Sequence, residues 1–127
     1  MISDVNDAAL VAAWISMREA MAELRANGVA ATEEQDAPAN AKYEAADDVI
    51  FDTPASGGAG ARVKLSRALM IMNHDGWVWD ALMDGDTAVL VTRAAELDGP
   101  ERLVVMAIAA LPVGIDPQGR LARGLRL

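Results

Sequence analysis

Thr53-Pro54-Ala55-Ser56-Gly57-Gly58-Ala59-Gly60-Ala61-Arg62-Val63-Lys64-Leu65 punctuates a sequence otherwise written for helices. The residue before a proline disfavours helical dihedrals, so Thr53 ends the helix that runs up to Phe51 or Asp52. Thr53 can also cap a new turn with Pro54 in its first position. Gly57, Gly58 and Gly60 soften the backbone that follows. A fresh helix is predicted from Ala61 to Met72, with Leu65, Ala68, Leu69 and Met72 buried and Arg62, Lys64 and Arg67 as polar decoration. On this reading the segment is a flexible turn that lets the helices on either side of it pack closely.

Upstream, Leu10, Trp14, Met17, Met21 and Leu24 recur at steps of 4, 3, 4 and 3. That spacing draws one apolar stripe along a helix from Asp7 to Asn27, widened by Val11 and Ile15. Asp4, Asn6 or Asp7 can cap its start, and Asn27-Gly28 supplies its stop. Two heptads of such spacing suit a core face better than a coiled coil. Residues 29–36 read as a polar loop, and Asp36-Ala37-Pro38 opens a second helix whose apolar side carries Tyr43, Ala46, Val49 and Ile50. Glu44, Asp48 and Asp52 follow at i, i+4 and i+8 on the opposite side, with Asp47 beside them.

Downstream, Asp75-Gly76 and Asp84-Gly85-Asp86 are turn signals. Residues 77–92 can be read as a β-hairpin through Trp77-Val78-Trp79 and Val89-Leu90-Val91, or as short helices. The alanines and leucines favour helices over Trp77–Met83 and Thr87–Leu97. Asp98-Gly99-Pro100-Glu101 joins a cap, an early proline and a glutamate three residues on, which starts a last helix running to Leu111. Residues 103–111 are apolar on every side, so this helix is expected to be central or at an oligomer interface. The fold class expected is all-α: a single domain over residues 1–113, a bundle of four to six helices, followed by an irregular tail over 114–127. No internal repeat is present.

Composition agrees. The hydrophobic fraction is 53%, but 26 of the 127 residues are alanine, a strong helix former that buries little area. Cysteine is absent, which removes disulfides and thiolate zinc sites. No basic start leads into an apolar run of signal-peptide length, and the longest apolar run, Leu103 to Pro112, is far short of a membrane span. A soluble cytoplasmic protein is expected, with no membrane partner. The net charge is −8. Residues 1–52 hold 11 Asp and Glu against 3 Lys and Arg, whereas residues 53–127 hold 8 of each, so the surplus lies in the first two helices. Phosphate contacts need cations, which disfavours direct nucleic-acid binding by that half and leaves a basic protein surface as the matching partner. Solubility alone is the plainer account of the same charge.

Motifs for catalysis are missing. A phosphate loop needs Lys directly after Gly and then Ser or Thr, but here Val63 precedes Lys64 and Leu65 follows it. Gly58-x-Gly60 has Val63 where a dinucleotide fingerprint has its third glycine. Bundle metal sites recruit a glutamate with a histidine three residues on, and His74 has no such partner. A calcium loop begun at Asp84 would place Ala95 at its twelfth position, where glutamate is required. His74-Asp75 has no nucleophile marked nearby, and a histidine at a helix end more often satisfies the last carbonyls. No cofactor is implied. The residues most suited to holding a partner are the acidic Glu44, Asp47, Asp48 and Asp52 and the aromatic Trp77 and Trp79. Core packing against Trp14 competes for the two tryptophans, and a solvated face competes for the carboxylates.

Thr53-Pro54-Ala55, Ala59-Gly60, Lys64-Leu65 and Ala68-Leu69, with Trp14 and Arg18 in the first helix, resemble a group of short, uncharacterised helical proteins encoded in alphaproteobacterial genomes, often near mobile elements or prophages. The likeness spans residues 8–70. Ser56-Gly57-Gly58 departs from the group's Thr-Thr-Leu. The resemblance implies a helical fold and a bacterial or phage source, and it supplies no activity. The expected function is a non-enzymatic acidic interaction protein that binds and inhibits a basic nucleic-acid-handling defence protein. The alternatives are a homo-oligomeric structural or regulatory module assembled through Leu103–Leu111, and a small enzyme with a carboxylate-based metal site.

Overall fold

The computed structural model describes residues 4–114. Six α-helices follow one another: α1 Asp4–Asn27, α2 Glu33–Asp52, α3 Gly58–Met72, α4 Gly76–Asp84, α5 Thr87–Thr92 and α6 Gly99–Ala110, with a 3-10 turn at Ala94–Glu96 before α6. No strand occurs among the described residues, and the molecule is a small all-α bundle. Residues 77–92 are therefore helical and not a hairpin. None of the described helices is long and apolar enough to cross a membrane. The tail expected over 114–127 lies, apart from Gly114, outside the described residues.

The central rod is α1. It packs against α2, α3 and α4. Leu10, Val11, Ala13, Trp14, Ile15, Met17 and Ala20 are all buried, so apolar positions surround most of its middle turns. The predicted stripe of Leu10, Trp14 and Met17 is at its heart, and Gly28 ends the helix with a left-handed φ of 82°. Of the two expectations for the last helix, a central position or an oligomer interface, the central position is corrected. Val105 and Ile108 of α6 face inward, but Leu103 and Met106 are 73% and 58% exposed. Its core contacts are to α3 and α5, so it covers one flank and leaves an apolar outer side.

Two helix starts differ from expectation. The second helix opens at Glu33, three residues before Asp36. Thr32 Oγ1 accepts from the Gln35 N–H at 3.1 Å while Gln35 Oε1 accepts from the Thr32 N–H at 2.8 Å, a reciprocal cap that outweighs the proline signal. Pro38 then sits inside the second turn. The third helix opens at Gly58 and not at Ala61, and its inward face is rotated. Val63, Ser66, Leu69 and Met70 are buried with Gly60, while Leu65 and Ala68 are half-buried and Met72 is exposed.

The glycines are packed, not soft. A Cβ on Gly60 would lie 2.2 Å from Asp7 Oδ1 and 2.9 Å from Leu10 Cδ1, and one on Gly58 would lie 2.7 Å from Pro112 Cδ. Bare backbone lets α1 and the segment after α6 press onto the start of α3. Asp7 itself lies within α1 and not at its cap. Its Oδ1 accepts from the Ser56 N–H at 2.7 Å, which places a carboxylate at the N-terminus of α3 where no local side chain caps.

Candidate functional site

Helix ends decide where charge remains free on this molecule. A helix leaves its last carbonyls without partners, and cations are favoured there. Three neighbouring helices are closed by side chains reaching across the bundle. Lys64 of α3 donates to the Ile50 carbonyl at the end of α2, at 2.6 Å. Arg62 of α3 donates to the Ile108 and Leu111 carbonyls at the end of α6, at 2.6 and 2.8 Å, and to Thr87 Oγ1 at 2.7 Å. Arg18 of α1 donates through Nε to the Met83 carbonyl at the end of α4. Burial pushes the pKa of both Arg62 and Arg18 down, and Asp84 and Glu19 partly offset this for Arg18. The residues read as polar decoration of α3 are therefore internal ties.

The remaining described cations are largely spent too. Arg67 forms a two-point pair with Asp47, Nε to Oδ1 at 2.7 Å and a second nitrogen to Oδ2 at 3.0 Å, with its guanidinium 5.6 Å over the Tyr43 ring. The hydrogen bond to Asp47 raises the Arg67 pKa. Lys42 lies 3.5 Å from Glu19 and 3.4 Å from Glu23, Arg25 pairs with Asp80, and Arg93 grips Glu96 at 2.7 and 2.8 Å. Seven of the eight Lys and Arg side chains in residues 4–114 thus hold partners within the fold.

Against that background the predicted acidic set divides. Asp47 is half-buried and neutralised by Arg67, so it does not belong to a free acidic face. Glu44, Asp48 and Asp52 are exposed along α2, and among the described residues no cation lies within ion-pair distance of them. Their i, i+4, i+8 spacing sets them about 6 Å apart along the axis. Phe51 stands three residues after Asp48 and is 61% exposed. Beside it a groove of about 200 Å³ runs between α2 and α3, lined by Ile50, Phe51, Lys64, Arg67, Ala68 and Ile71. Sequence reasoning missed Phe51 and Ile71. The signal was present, since Phe51 follows Glu44 by seven positions and so shares the acidic side of α2.

The two tryptophans turn inward in part. Trp79 Nε1 donates to the carbonyls of Met70 and Asn73 at 3.1 and 2.8 Å, closing the end of α3, and His74 meets its ring edge-on at 6.3 Å. The indole performs the task that the sequence suggested for His74. Trp77 is half-buried against the core, with the Arg93 guanidinium 4.0 Å over its ring. Trp14 is buried, and neither Trp77 nor Trp79 shares the acidic face of α2. A second, smaller pocket of about 20 Å³ touches Trp14, Arg62, Ser66 and Thr87 and has room for one water.

Among the described residues no group of three or more His, Asp or Glu is placed to hold a metal ion. Compared with protein-family models, curated proteins and solved structures, the chain matches none.

Proposed function

We propose that this chain is a non-enzymatic acidic interaction protein that occupies the basic surface of a nucleic-acid-handling protein and so inhibits it, as a phage or mobile-element product acting on a host defence enzyme would. The observation that carries the reading is the unbalanced face of α2. Glu44, Asp48 and Asp52 stay exposed with no cation among the described residues within ion-pair distance, while the cations nearby are committed to helix ends and to Asp47. A row of carboxylates held on a rigid helix presents the sign that a phosphate-binding surface attracts, and it steers encounter at low salt.

The test is competition. The chain is titrated into a complex of duplex DNA with a purified basic nuclease at low and high salt. Displacement of the DNA that weakens with salt, and that vanishes when Glu44, Asp48 and Asp52 are all changed to Lys, supports the reading. Displacement that survives the triple reversal removes it.

A second reading has an observation of its own. Leu103 and Met106 lie three residues apart on the outer side of α6 and are mostly exposed. An apolar strip of this kind fits a homo-oligomer contact. Sedimentation at micromolar concentration tests it. A dimer that reverts to monomer in L103E/M106E supports self-association, and a strict monomer removes it.

A further inference from the structure

The groove between α2 and α3 has a definite chemical preference. Its lining is apolar at Ile50, Phe51, Ala68 and Ile71, and Phe51 and Ile71 are 61% and 48% exposed. The two cations in its wall, Lys64 and Arg67, are engaged by the Ile50 carbonyl and by Asp47. The free charges beside it are the carboxylates of Glu44, Asp48 and Asp52. An occupant that satisfies both features carries aliphatic side chains interleaved with cations.

Apart from residues 62–69, which belong to α3 itself, the chain contains one segment of that composition. Arg120-Leu121-Ala122-Arg123-Gly124-Leu125-Arg126-Leu127 alternates three arginines with three leucines and has no acid. It lies beyond the described residues. Residues 4–114 hold 18 Asp and Glu against 8 Lys and Arg, whereas residues 115–127 hold one acid, Asp116, against three arginines. The two parts are opposite in charge.

Reach permits the contact. Gly114 is seated against Val11 and Ala59, next to the first turn of α3. Ile71, the far wall of the groove, is about 18 Å further along that helix. Thirteen residues extend to about 43 Å, enough to pass around α3 and follow the groove.

We propose that residues 120–127 dock in cis into the α2–α3 groove, with their leucines beside Phe51 and Ile71 and their arginines against Glu44, Asp48 and Asp52. This rests on the acidic face described above but needs no partner. It makes the segment a built-in competitor for any basic protein that approaches that face.

The absence of cysteine gives a clean experiment on the full chain. Gly124→Cys carries a single nitroxide, and amide signals are compared before and after its reduction. Selective loss of signal across residues 47–52 and 64–71, relieved by R120E/R123E/R126E, is the expected result. No loss, or loss spread over other surfaces, overturns the proposal. A mixture of isotope-labelled chain without nitroxide and unlabelled chain with it separates the two possible sources of the segment. Signal loss in the groove of that mixture assigns the occupant to a second copy and overturns docking in cis. Because no partner is in the tube, failure here leaves the competition experiment standing, and failure there leaves this one standing.

Discussion

Asp7 and Ser56 are 49 positions apart, yet the carboxylate of the first accepts the backbone N–H of the second at 2.7 Å. That contact supplies α3 with the anionic cap its own sequence lacks, since Gly57 offers no side chain. The same device recurs at the other ends. Lys64 closes α2, Trp79 closes α3, Arg18 closes α4 and Arg62 closes α6. Short helices are marginal in isolation. Here α2, α3, α4 and α6 each take a terminal hydrogen bond from a side chain beyond their own ends, which couples secondary to tertiary structure.

Asp7→Ala removes the remote cap of α3 and is expected to cost about 1–2 kcal/mol in urea unfolding. Gly60→Ala drives a methyl into the same carboxylate, at 2.2 Å, and into Leu10, at 2.9 Å. It should cost about 1–3 kcal/mol by overpacking. The two changes are in contact, so they will not add. In the double variant the methyl no longer meets the carboxylate, and the loss falls short of the sum of the single losses. Gly99→Ala, where a Cβ meets nothing within 4 Å, is the control and leaves the midpoint in place.

Arg62→Met strands the carbonyls of Ile108 and Leu111 and the hydroxyl of Thr87. A loss of about 1–3 kcal/mol follows for partly buried groups deprived of a donor. Arg62→Lys does not rescue it, because an ammonium cannot span acceptors on two helices as a planar guanidinium does. Native-state hydrogen exchange should show α6 opening first in both variants. Protection in α6 equal to the parent would refute the tie.

The parts of this fold that the sequence announces are the ones with local causes. Asn27-Gly28 stops α1 and Asp98 with Glu101 starts α6, where Glu101 Oε1 accepts from the Asp98 N–H at 3.3 Å. Thr32 with Gln35 was equally local but was overshadowed by Pro38. Remote ties are illegible by nature. Nothing near Arg62 in sequence indicates Leu111, and nothing near Asp7 indicates Gly60. The acidic face shows the same divide. Periodicity placed Glu44, Asp48 and Asp52 together, but only the packing of α3 on α2 reveals that Arg67 withdraws Asp47 from that set. The inward face of α3 departs from the apolar pattern because Ser66 and Gly60 are buried by what approaches them and not by their own hydrophobicity.

Tyr43 gives the fold an alkaline limit. Burial pushes its pKa up, the Arg67 guanidinium over the ring opposes this, and Asp47 adds to it. The protonated phenol is thus favoured in the folded state. Its contribution is fully present below the unfolded value of about 10 and is lost as pH rises through the folded value. Unfolding midpoints should fall above about pH 10, and Tyr43→Phe should flatten that limb. As the only tyrosine in the chain, it also reports directly through tyrosinate absorbance. A tyrosinate signal that develops at the same pH in the native protein and in urea would contradict the argument.

Trp79 and Trp77 are expected to respond differently to the same substitution. Trp79→Phe keeps an aromatic ring but removes the Nε1 donor from the carbonyls of Met70 and Asn73, which costs about 1 kcal/mol. Trp77→Phe keeps an apolar cover over the core, and the Arg93–Glu96 pair beside it is open to solvent. Exposed pairs add little, so the unfolding midpoint should hardly move. Neither change touches Glu44, Asp48 or Asp52. Displacement of DNA from a basic nuclease should therefore be unaltered in both variants wherever they remain folded. Loss of displacement in Trp77→Phe with an unchanged midpoint would move the binding surface from α2 to α4.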